Sequence, residues 1–356
     1  MNFASDNVWG ASRPVLDALV RANDGAEPAY GADAYTAQVE RRFADLFERD
    51  CAVMLMPTGT GANALALQAM VPPYGLCVCH REAHVIDDEC GAPEFYMHGA
   101  KLAGLPGIGA KLAAGEVAAY LDGLSSSVKQ MPPKALSISQ VTECGLVYAL
   151  DEIEALAAVA HERGLSVHMD GARFANALVT LGCSPAEMTW KRGVDVLTFG
   201  ATKNGCLAAE AIVVFEPRIA EHLAHRRKRA GQTLSKGRFI AAQFEGYLAE
   251  DHWLANARHA NAMAADLAAR LTAVPGVRLA WAVQANEVFA ILPRAVDEAL
   301  RAVGALYHPW SPLSLPLGET VGANERLVRF VTSFATRPET VAQLGEAARG
   351  APARAA

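Results

Sequence analysis

The sequence has little that would commit the protein to a membrane, to a nucleic acid or to an oxidising compartment. In its 356 residues no apolar run approaches the roughly 20 residues that a helix needs to cross a bilayer. Its first residues lack the basic and apolar regions of a secretory signal. A formal charge of −6 gives no electrostatic reason to bind nucleic acid or an anionic lipid surface. We therefore expect a cytoplasmic protein that acts on a small molecule, without a membrane or nucleic acid partner.

Cysteine spacing gives no sign of a disulfide framework or a metal site. The seven cysteines are an odd number and contain no C-x-x-C pair, so we expect buried free thiols. The run from Cys77 to His80 could be taken for metal ligands, but a strand places Cys77 and Cys79 on one face and His80 on the other. We predict no bound metal.

Short β-rich runs alternate with helical patterns through the middle of the chain. Strands are predicted at 52–56, 135–141, 165–170 and 210–215, and a helix at 150–163. Strands separated by helices favour crossover connections, and so an α/β fold with a mostly parallel central sheet.

The pattern of predicted helices and strands changes near residue 250, which indicates a second domain. A long amphipathic helix is predicted from about 251 to 273, followed by mixed strands and helices. Single cores stop growing near roughly 250–300 residues. We therefore predict a large α/β domain at 1–250 and a smaller α+β domain at 251–356.

Two charged residues follow buried strands at the ends where open α/β sheets bind ligands. Asp170 ends one strand, and Lys203 follows another strand about one βαβ unit later. A buried carboxylate needs a cationic or hydrogen-bonding partner. Arg173 could provide it locally; otherwise Asp170 and Lys203 share a cleft. Such a pair suits pyridoxal phosphate (PLP), which links to a lysine amine while an aspartate holds its ring nitrogen protonated.

The glycine-rich loop at 57–63 offers a site for the phosphate. Gly59 and Gly61 leave backbone N–H groups open, ahead of a helix predicted to begin near Asn63. The same loop also matches the dinucleotide pattern G-x-G-x-x-A, with Glu82 near the spacing expected for its acid. That alternative, a dehydrogenase, leaves Asp170 and Lys203 unexplained.

Motifs along nearly the whole chain resemble the L-threonine aldolase family of fold-type I PLP enzymes, within the β-eliminating lyase group. They are FASDN (3–7), YGAD (30–33), PTGTGAN (57–63), EAHVIDDECGA (82–92), HMDGAR (168–173), FGATKNG (199–205), RKRAGQTLSKGRF (227–239) and RLVRFVTSF (326–334). The resemblance implies the fold-type I fold, an active-site arm at 1–28, and a homodimer or homotetramer with shared active sites.

The resemblance also implies roles for individual residues. Lys203 would bind the cofactor covalently, Asp170 would meet its ring nitrogen and His84 would stack on the ring. The other implied cofactor contacts are Gly59, Thr60, Arg173, Thr202, Lys236 and Arg238, with Lys236 or Arg238 reaching over from a neighbouring subunit. The implied substrate contacts are Ser5, Tyr30, Arg173 and Arg329, where arginines suit a carboxylate.

One loop departs from the family pattern. Many threonine aldolases carry a histidine in an N-T-H-N loop near the substrate hydroxyl, whereas this chain has SQVTECG at 139–145. Together with SKGRF, that loop is more similar to the phenylserine aldolase branch. The expected reaction is cleavage of an L-β-hydroxy-α-amino acid, such as L-threonine, L-allo-threonine or L-phenylserine, to glycine and an aldehyde. The reaction needs a base to accept the hydroxyl proton. His84 is the first candidate for this base, and Glu89 is the second.

Three other classes of function stay open on the sequence. An aminotransferase or another β-eliminating lyase would use Asp170 and Lys203 but act at the Cα–H bond. A dehydrogenase would use the glycine loop. A non-catalytic binding module on the same fold is the third.

Overall fold

The computed structural model describes residues 1–351, and its main element is a seven-stranded sheet. In chain order the strands are β1 Ala52–Met56, β2 Leu76–His80, β3 Lys101–Leu105, β4 Pro133–Ser139, β5 Ser166–Gly171, β6 Val196–Gly200 and β7 Glu210–Val214. They lie in the order β1-β7-β6-β5-β4-β2-β3. β7 is antiparallel to both of its neighbours, and the other pairings are parallel. The prediction of an α/β fold with a mostly parallel sheet is confirmed.

Helices cover the faces of this sheet. They are α1 Arg13–Ala22, α2 Ala34–Leu46, α3 Gly59–Met70, α4 His84–Asp87, α5 Ala92–Tyr96, α6 Ala114–Asp122, α7 Leu150–Glu162, α8 Phe174–Leu181, α9 Pro185–Met188, α10 Leu223–Arg229 and α11 Arg238–Leu248. The predicted helix at 150–163 is α7, and Gly164 after it has φ +71°, which suits glycine at a helix end. The helix expected near Asn63 begins earlier, at Gly59, because the hydroxyl of Thr58 caps it.

A four-stranded antiparallel sheet forms the core of the last hundred residues. Its strands are β8 Arg278–Leu279, β9 Glu287–Pro293, β10 His308–Pro309 and β11 Glu325–Val331, in the order β10-β11-β9-β8. Helices α12 His252–Thr272, α13 Arg294–Ala302 and α14 Pro338–Arg349 pack against it. The predicted division at 250/251 stays a prediction, and its last five residues lie outside the described range.

The first residues of the chain join the second sheet. Phe3 is fully buried in the core of that sheet, and its backbone bonds to Leu306 and Val331. Ser5 and Asp6 follow at the start of a short 3-10 helix, and they lie at the carboxyl edge of the large sheet, where Asp6 pairs with Arg173. The segment predicted as an active-site arm at 1–28 therefore begins on the small sheet, while α1 packs on α11.

The parallel pairing of β4, β5 and β6 brings their carboxyl ends to one edge. Asp170 pairs in register with Ser139 on one side and with Thr198 on the other. Lys203 follows β6 in a short 3-10 turn, Thr202–Asn204. The expectation that the strand ends carrying Asp170 and Lys203 are neighbours is confirmed.

The cysteines are all unpaired within the described residues, but they are not all buried. Cys77, Cys79, Cys144 and Cys206 are buried, Cys51 and Cys183 are half-buried, and Cys90 is exposed. The expectation of buried thiols is wrong for Cys90, because this residue and Gly91 form a turn of positive φ that projects from the fold before α5. In residues 1–351 no helix is both long and apolar enough to span a membrane, and no cluster of three metal-ligating side chains is found.

Gly200 is required by contacts within the chain. A Cβ at this position would lie 2.7 Å from Cα and 2.8 Å from the carbonyl oxygen of Ala172. The adjoining backbones cannot move apart without disturbing the β5–β6 pairing. Small residues here therefore serve the packing of the two strand ends, besides any approach to a ligand.

We expect Gly200→Ala to lower the free energy of unfolding by about 1–3 kcal/mol, measured by urea denaturation, because the added methyl has no space. Gly115→Ala is the matched control: it lies in α6, and no atom comes within 4 Å of the position that its methyl would take. Alanine there should raise stability by about 0.5–1 kcal/mol through helix propensity. Equal effects of the two changes would contradict the packing argument.

Candidate active site

The carboxyl edge of the large sheet and strand β11 of the small sheet enclose a cavity of about 460 Å³. It brings together most of the predicted site residues: Ser5, Gly59, Thr60, His84, Glu89, Asp170, Arg173, Thr202, Lys203 and Arg329. Tyr30, Lys236 and Arg238 do not line it. The exposed Tyr30 ring stacks under Lys228, Lys236 is exposed, and Arg238 donates to the carbonyl of Gly25. The roles of these three residues stay predictions.

Asp170 is buried at the end of β5 and held by two donors. Asn63 Nδ2 donates to its Oδ2 at 2.8 Å, and the Ala172 amide donates to its Oδ1 at 3.0 Å. Arg173 does not pair with it. Its guanidinium instead lies against Asp6 and Glu287. The local ion pair that the sequence left open is therefore not formed, and Asp170 lines the cavity with Lys203.

Asn63 joins Asp170 to the histidine side of the cavity. Its amide also donates to Glu89 Oε1 at 2.9 Å, and the same oxygen lies 2.8 Å from His84 Nδ1. The hydrogen bond to Glu89 raises the pKa of His84, and burial raises the pKa of Glu89. Sequence reasoning missed Asn63. The available signal was an amide in the mostly apolar helix α3, followed by five residues that are all buried.

The anion site is predicted at the first turn of α3, and the structure differs from that prediction at one amide. Thr58 Oγ1 accepts the Gly61 amide at 3.2 Å, so that N–H is occupied by the helix cap and is not open as expected. The amides of Gly59 and Thr60 lie in the first turn, where helix geometry supplies no carbonyl partner. Thr202 follows β6 at the same edge, and its hydroxyl bonds to the backbone of Ala209.

A buried carboxyl beside this anion site was not foreseen. β7 pairs Glu210 with Met56, just before the glycine loop, and Glu210 Oε2 lies 3.9 Å from the place of a Cβ added to Gly59. Burial raises the pKa of Glu210 to about 7, against the lowering effects of the Thr202 hydrogen bond and the Lys203 charge. Burial thus favours the neutral form of this carboxyl.

Two arginines line the cavity, and two buried carboxylates are paired with them. Arg173 holds Asp6 through two nitrogens, at 2.8 and 3.2 Å, and its third nitrogen lies 3.2 Å from Glu287. Although burial acts to raise it, the charges of Arg173 and Lys203 leave the pKa of Asp6 lowered. Arg329 lies 3.9 Å from Glu287 and stacks on Trp310 at 4.5 Å. Sequence reasoning missed Asp6, Glu287 and Trp310.

Glu143 lies in the loop that departs from the family pattern. Its Oε1 accepts hydrogen bonds from Ser139 Oγ at 2.7 Å and from the His84 amide at 2.9 Å. Its Oε2 is buried without a hydrogen-bond partner among the described residues. Burial raises the pKa of Glu143 to about 7. Glu143 was also missed by the sequence analysis, because the family pattern has a histidine in this loop.

Lys203 is held in place by the residue that follows it. Asn204 Nδ2 donates at 2.8 Å to both the Tyr247 hydroxyl and the Trp253 carbonyl, and Asn256 donates to the Asn204 carbonyl. Tyr247 and Trp253 are fully buried. The lysine backbone is therefore anchored to the core while its side chain lines the cavity.

The dinucleotide interpretation does not fit the sheet order. The strand β2 precedes Glu82. However, β7, β6, β5 and β4 lie between β1 and β2, so the strand before Glu82 is not adjacent to the strand before the glycine loop. Glu82 accepts a hydrogen bond from Ser314 instead. The dinucleotide pattern requires adjacent strands.

The chain is similar to known proteins over most of its length. The β-eliminating lyase family model matches residues 2–294. A low specificity L-threonine aldolase from Pseudomonas aeruginosa is 44% identical over 96% of this chain and 95% of its own length. The Leishmania major threonine aldolase structure has 28% identity and a TM-score of 0.90, covering 98% of each chain.

A more distant structure bears on the fold alone. The serine palmitoyltransferase from S. paucimobilis, with bound PLP, has 17% identity and a TM-score of 0.72 over 99% of this chain and 87% of that one. The predicted fold-type I PLP fold is thereby confirmed. The chain belongs to the β-eliminating lyase family and, within it, to the threonine aldolases.

Proposed function

We propose that the protein is a PLP-dependent aldolase that cleaves L-β-hydroxy-α-amino acids to glycine and an aldehyde. The observation that carries the proposal is one cavity lined by Lys203, Asp170, the first turn of α3 and the two arginines. The chain that contains this cavity is 44% identical to a low specificity L-threonine aldolase, and this similarity supports the reaction type.

The residues present fit PLP. Lys203 would supply the amine for the covalent link, and Asp170, held by Asn63 and Ala172, would bind the ring nitrogen. The amides of Gly59 and Thr60 suit the phosphate, with Thr202 beside them. When bound, PLP supplies a conjugated ring that accepts the electron pair of the broken Cα–Cβ bond.

The arginine wall suits the substrate carboxylate. Arg329 is held flat by the Trp310 ring, and Arg173 is fixed by its two bonds to Asp6. Two guanidinium groups beside the Ser5 hydroxyl provide donors in the planar arrangement that a carboxylate accepts. The α-carboxylate would thus orient the substrate, with its β-carbon toward His84 and Glu143.

The experiment that tests the proposal is product analysis. Purified PLP-loaded protein is incubated with L-threonine, L-allo-threonine and L-phenylserine, and the products are identified by mass spectrometry. We expect glycine together with acetaldehyde or benzaldehyde. A keto acid or ammonia in place of glycine would indicate an aminotransferase or a β-elimination, and no turnover with tight PLP binding would indicate a binding module.

Trp310 supports activity toward aryl substrates such as phenylserine. Its indole lines the cavity, where it can contact a substrate ring at the β-carbon. We expect Trp310→Ala to lower kcat/KM for L-phenylserine relative to L-threonine by about 3- to 10-fold. This range corresponds to the free energy of one aromatic pair. Taking the ratio removes the effect on Arg329, which both substrates share. Trp310→Phe should largely keep the ratio; an unchanged ratio in Trp310→Ala would remove this support.

We also propose a homodimer or homotetramer in the cytoplasm. Tyr30 and Lys236 are exposed in the single chain, and a neighbouring subunit could bring them, or Arg238, to this open cavity. Unpaired cysteines suit a reducing compartment. Sedimentation velocity gives the subunit number, and cell fractionation gives the location; a monomer would contradict the first part.

A further inference from the structure

The reaction needs a group that receives the β-hydroxyl proton, and the two residues expected from the sequence are bonded to each other. Glu89 Oε2, like Glu143 Oε2, has no hydrogen-bond partner among residues 1–351, but its Oε1 is tied to both His84 and Asn63. His84 is bonded to Glu89, and Glu89 shares Asn63 with Asp170, so all four belong to one network. The raised pKa of His84 keeps its ring protonated over a wider range of pH. A protonated imidazole has two donors and no acceptor, which makes it a poor base.

Glu143 lines the cavity and has one carboxyl oxygen without a hydrogen-bond partner among the described residues. Its Oε1 is fixed by two donors, Ser139 Oγ and the His84 amide, so the carboxyl plane is set by β4 and by the start of α4. Its Oε2 has no partner within residues 1–351, although it is buried and the residue lines the cavity. An unsatisfied buried acceptor is costly, and a substrate hydroxyl in the cavity would satisfy it.

We propose that Glu143 is the acid–base residue for the substrate β-hydroxyl, in the loop that carries no histidine. This inference rests on the proposed function. In the cleavage direction the β-O–H bond breaks, its proton goes to Glu143 Oε2, and its electron pair forms the second bond of the aldehyde carbonyl. The electron pair of the broken Cα–Cβ bond is finally taken by a proton at Cα, which gives glycine. One proton is lost and one is gained, so the overall reaction balances without a co-reactant.

The surroundings of Glu143 suit a base at neutral pH. Burial raises its pKa to about 7, while its two hydrogen bonds act in the opposite direction. Charged or titratable neighbours come from its own loop and from the elements packed around it: Asp170 and Arg173 after β5, Cys79 of β2, Cys144 and Tyr148 of its own loop, and His84 of α4. A carboxyl of ordinary pKa would accept a proton less readily.

The test compares Glu143→Gln with the wild-type holoenzyme. We expect kcat for L-threonine to fall by about 10²- to 10⁴-fold with little change in KM, because proton transfer is lost while the carboxylate site is intact. Wild-type kcat/KM should fall as the pH drops through about 7, where Glu143 becomes protonated. This acidic decrease in the pH profile should be absent in Glu143→Gln. Glu143→Asp should recover part of the rate.

Glycine distinguishes a chemical role from a structural one, because it has no hydroxyl. Borohydride-trapped cofactor on Lys203, the change in cofactor absorbance on adding glycine, and deuterium exchange at the glycine α-carbon should all be unchanged in Glu143→Gln. The exposed Glu116→Gln is the matched control.

Two results would overturn the inference while leaving the aldolase proposal intact. One is near-normal L-threonine cleavage by Glu143→Gln, and the other is a parallel loss of glycine binding and exchange. Failure of the wild-type protein to form glycine and aldehyde would instead defeat the proposed function, and this inference with it.

Discussion

Lys203→Ala is expected to abolish covalent attachment of PLP and to lower kcat for L-threonine by at least about 10³-fold. The reason is chemical, because alanine has no amine to form the link or to move a proton at Cα. Losses of this size are typical when a residue of the reacting set is removed. Borohydride reduction followed by peptide mass spectrometry measures the link, and aldehyde release measures turnover.

The Lys203 prediction has a matched control in Lys129→Ala, an exposed lysine remote from the cavity lining. Its cofactor content and turnover should equal those of the wild type. Circular dichroism should show that Lys203→Ala is folded, since Asn204 keeps its three anchoring bonds. A Lys203→Ala protein that still splits L-threonine at a near-normal rate would end the proposal.

Asp170→Asn is expected to keep the fold while lowering kcat by about 10²- to 10³-fold, the range typical of a removed electrostatic stabiliser. The amide has the same shape but a single acceptor oxygen, so it can keep only one of the hydrogen bonds from Asn63 and Ala172, which reach different oxygens of Asp170. It lacks the negative charge that holds a proton on the ring nitrogen, so the ring would withdraw electrons less strongly. Steady-state kinetics and the dissociation constant of PLP measure the two effects.

The control for Asp170→Asn is Asp17→Asn, which removes an exposed carboxylate of α1 paired with Arg13. We expect no change in kcat, because surface pairs contribute little to stability and this one is far from the cavity. Turnover by Asp170→Asn within about threefold of the wild type would show that the ring nitrogen needs no anionic partner here.

The sequence predicted the parts of the site that depend on local pattern. Asp170 and Lys203 each follow an apolar run that is fully buried as a strand, and parallel strands place their carboxyl ends together. Phosphate-binding amides at the start of α3 follow from two glycines before a helical pattern. In each case the prediction rests on residues that are adjacent in the sequence.

What sequence reasoning missed depends on contacts between distant segments. Glu210 reaches the anion site because β7 inserts between β1 and β6 in the antiparallel sense, and nothing within residues 210–214 reveals that direction. Glu287 and Arg173 meet because two sheets share one cavity. Glu143 was passed over because the expected residue type was a histidine, although its position had been identified as the place of departure.

The anchoring of Asn204 has a consequence for engineering the enzyme. Tyr247 and Trp253 lie in the core, outside the cavity lining, yet they fix the backbone next to Lys203. A library that varies these two aromatic residues to improve heat resistance would therefore also alter the alignment of the reacting amine. Leu207, a cavity residue that makes no bond to Asn204, is a safer position for changing the substrate range.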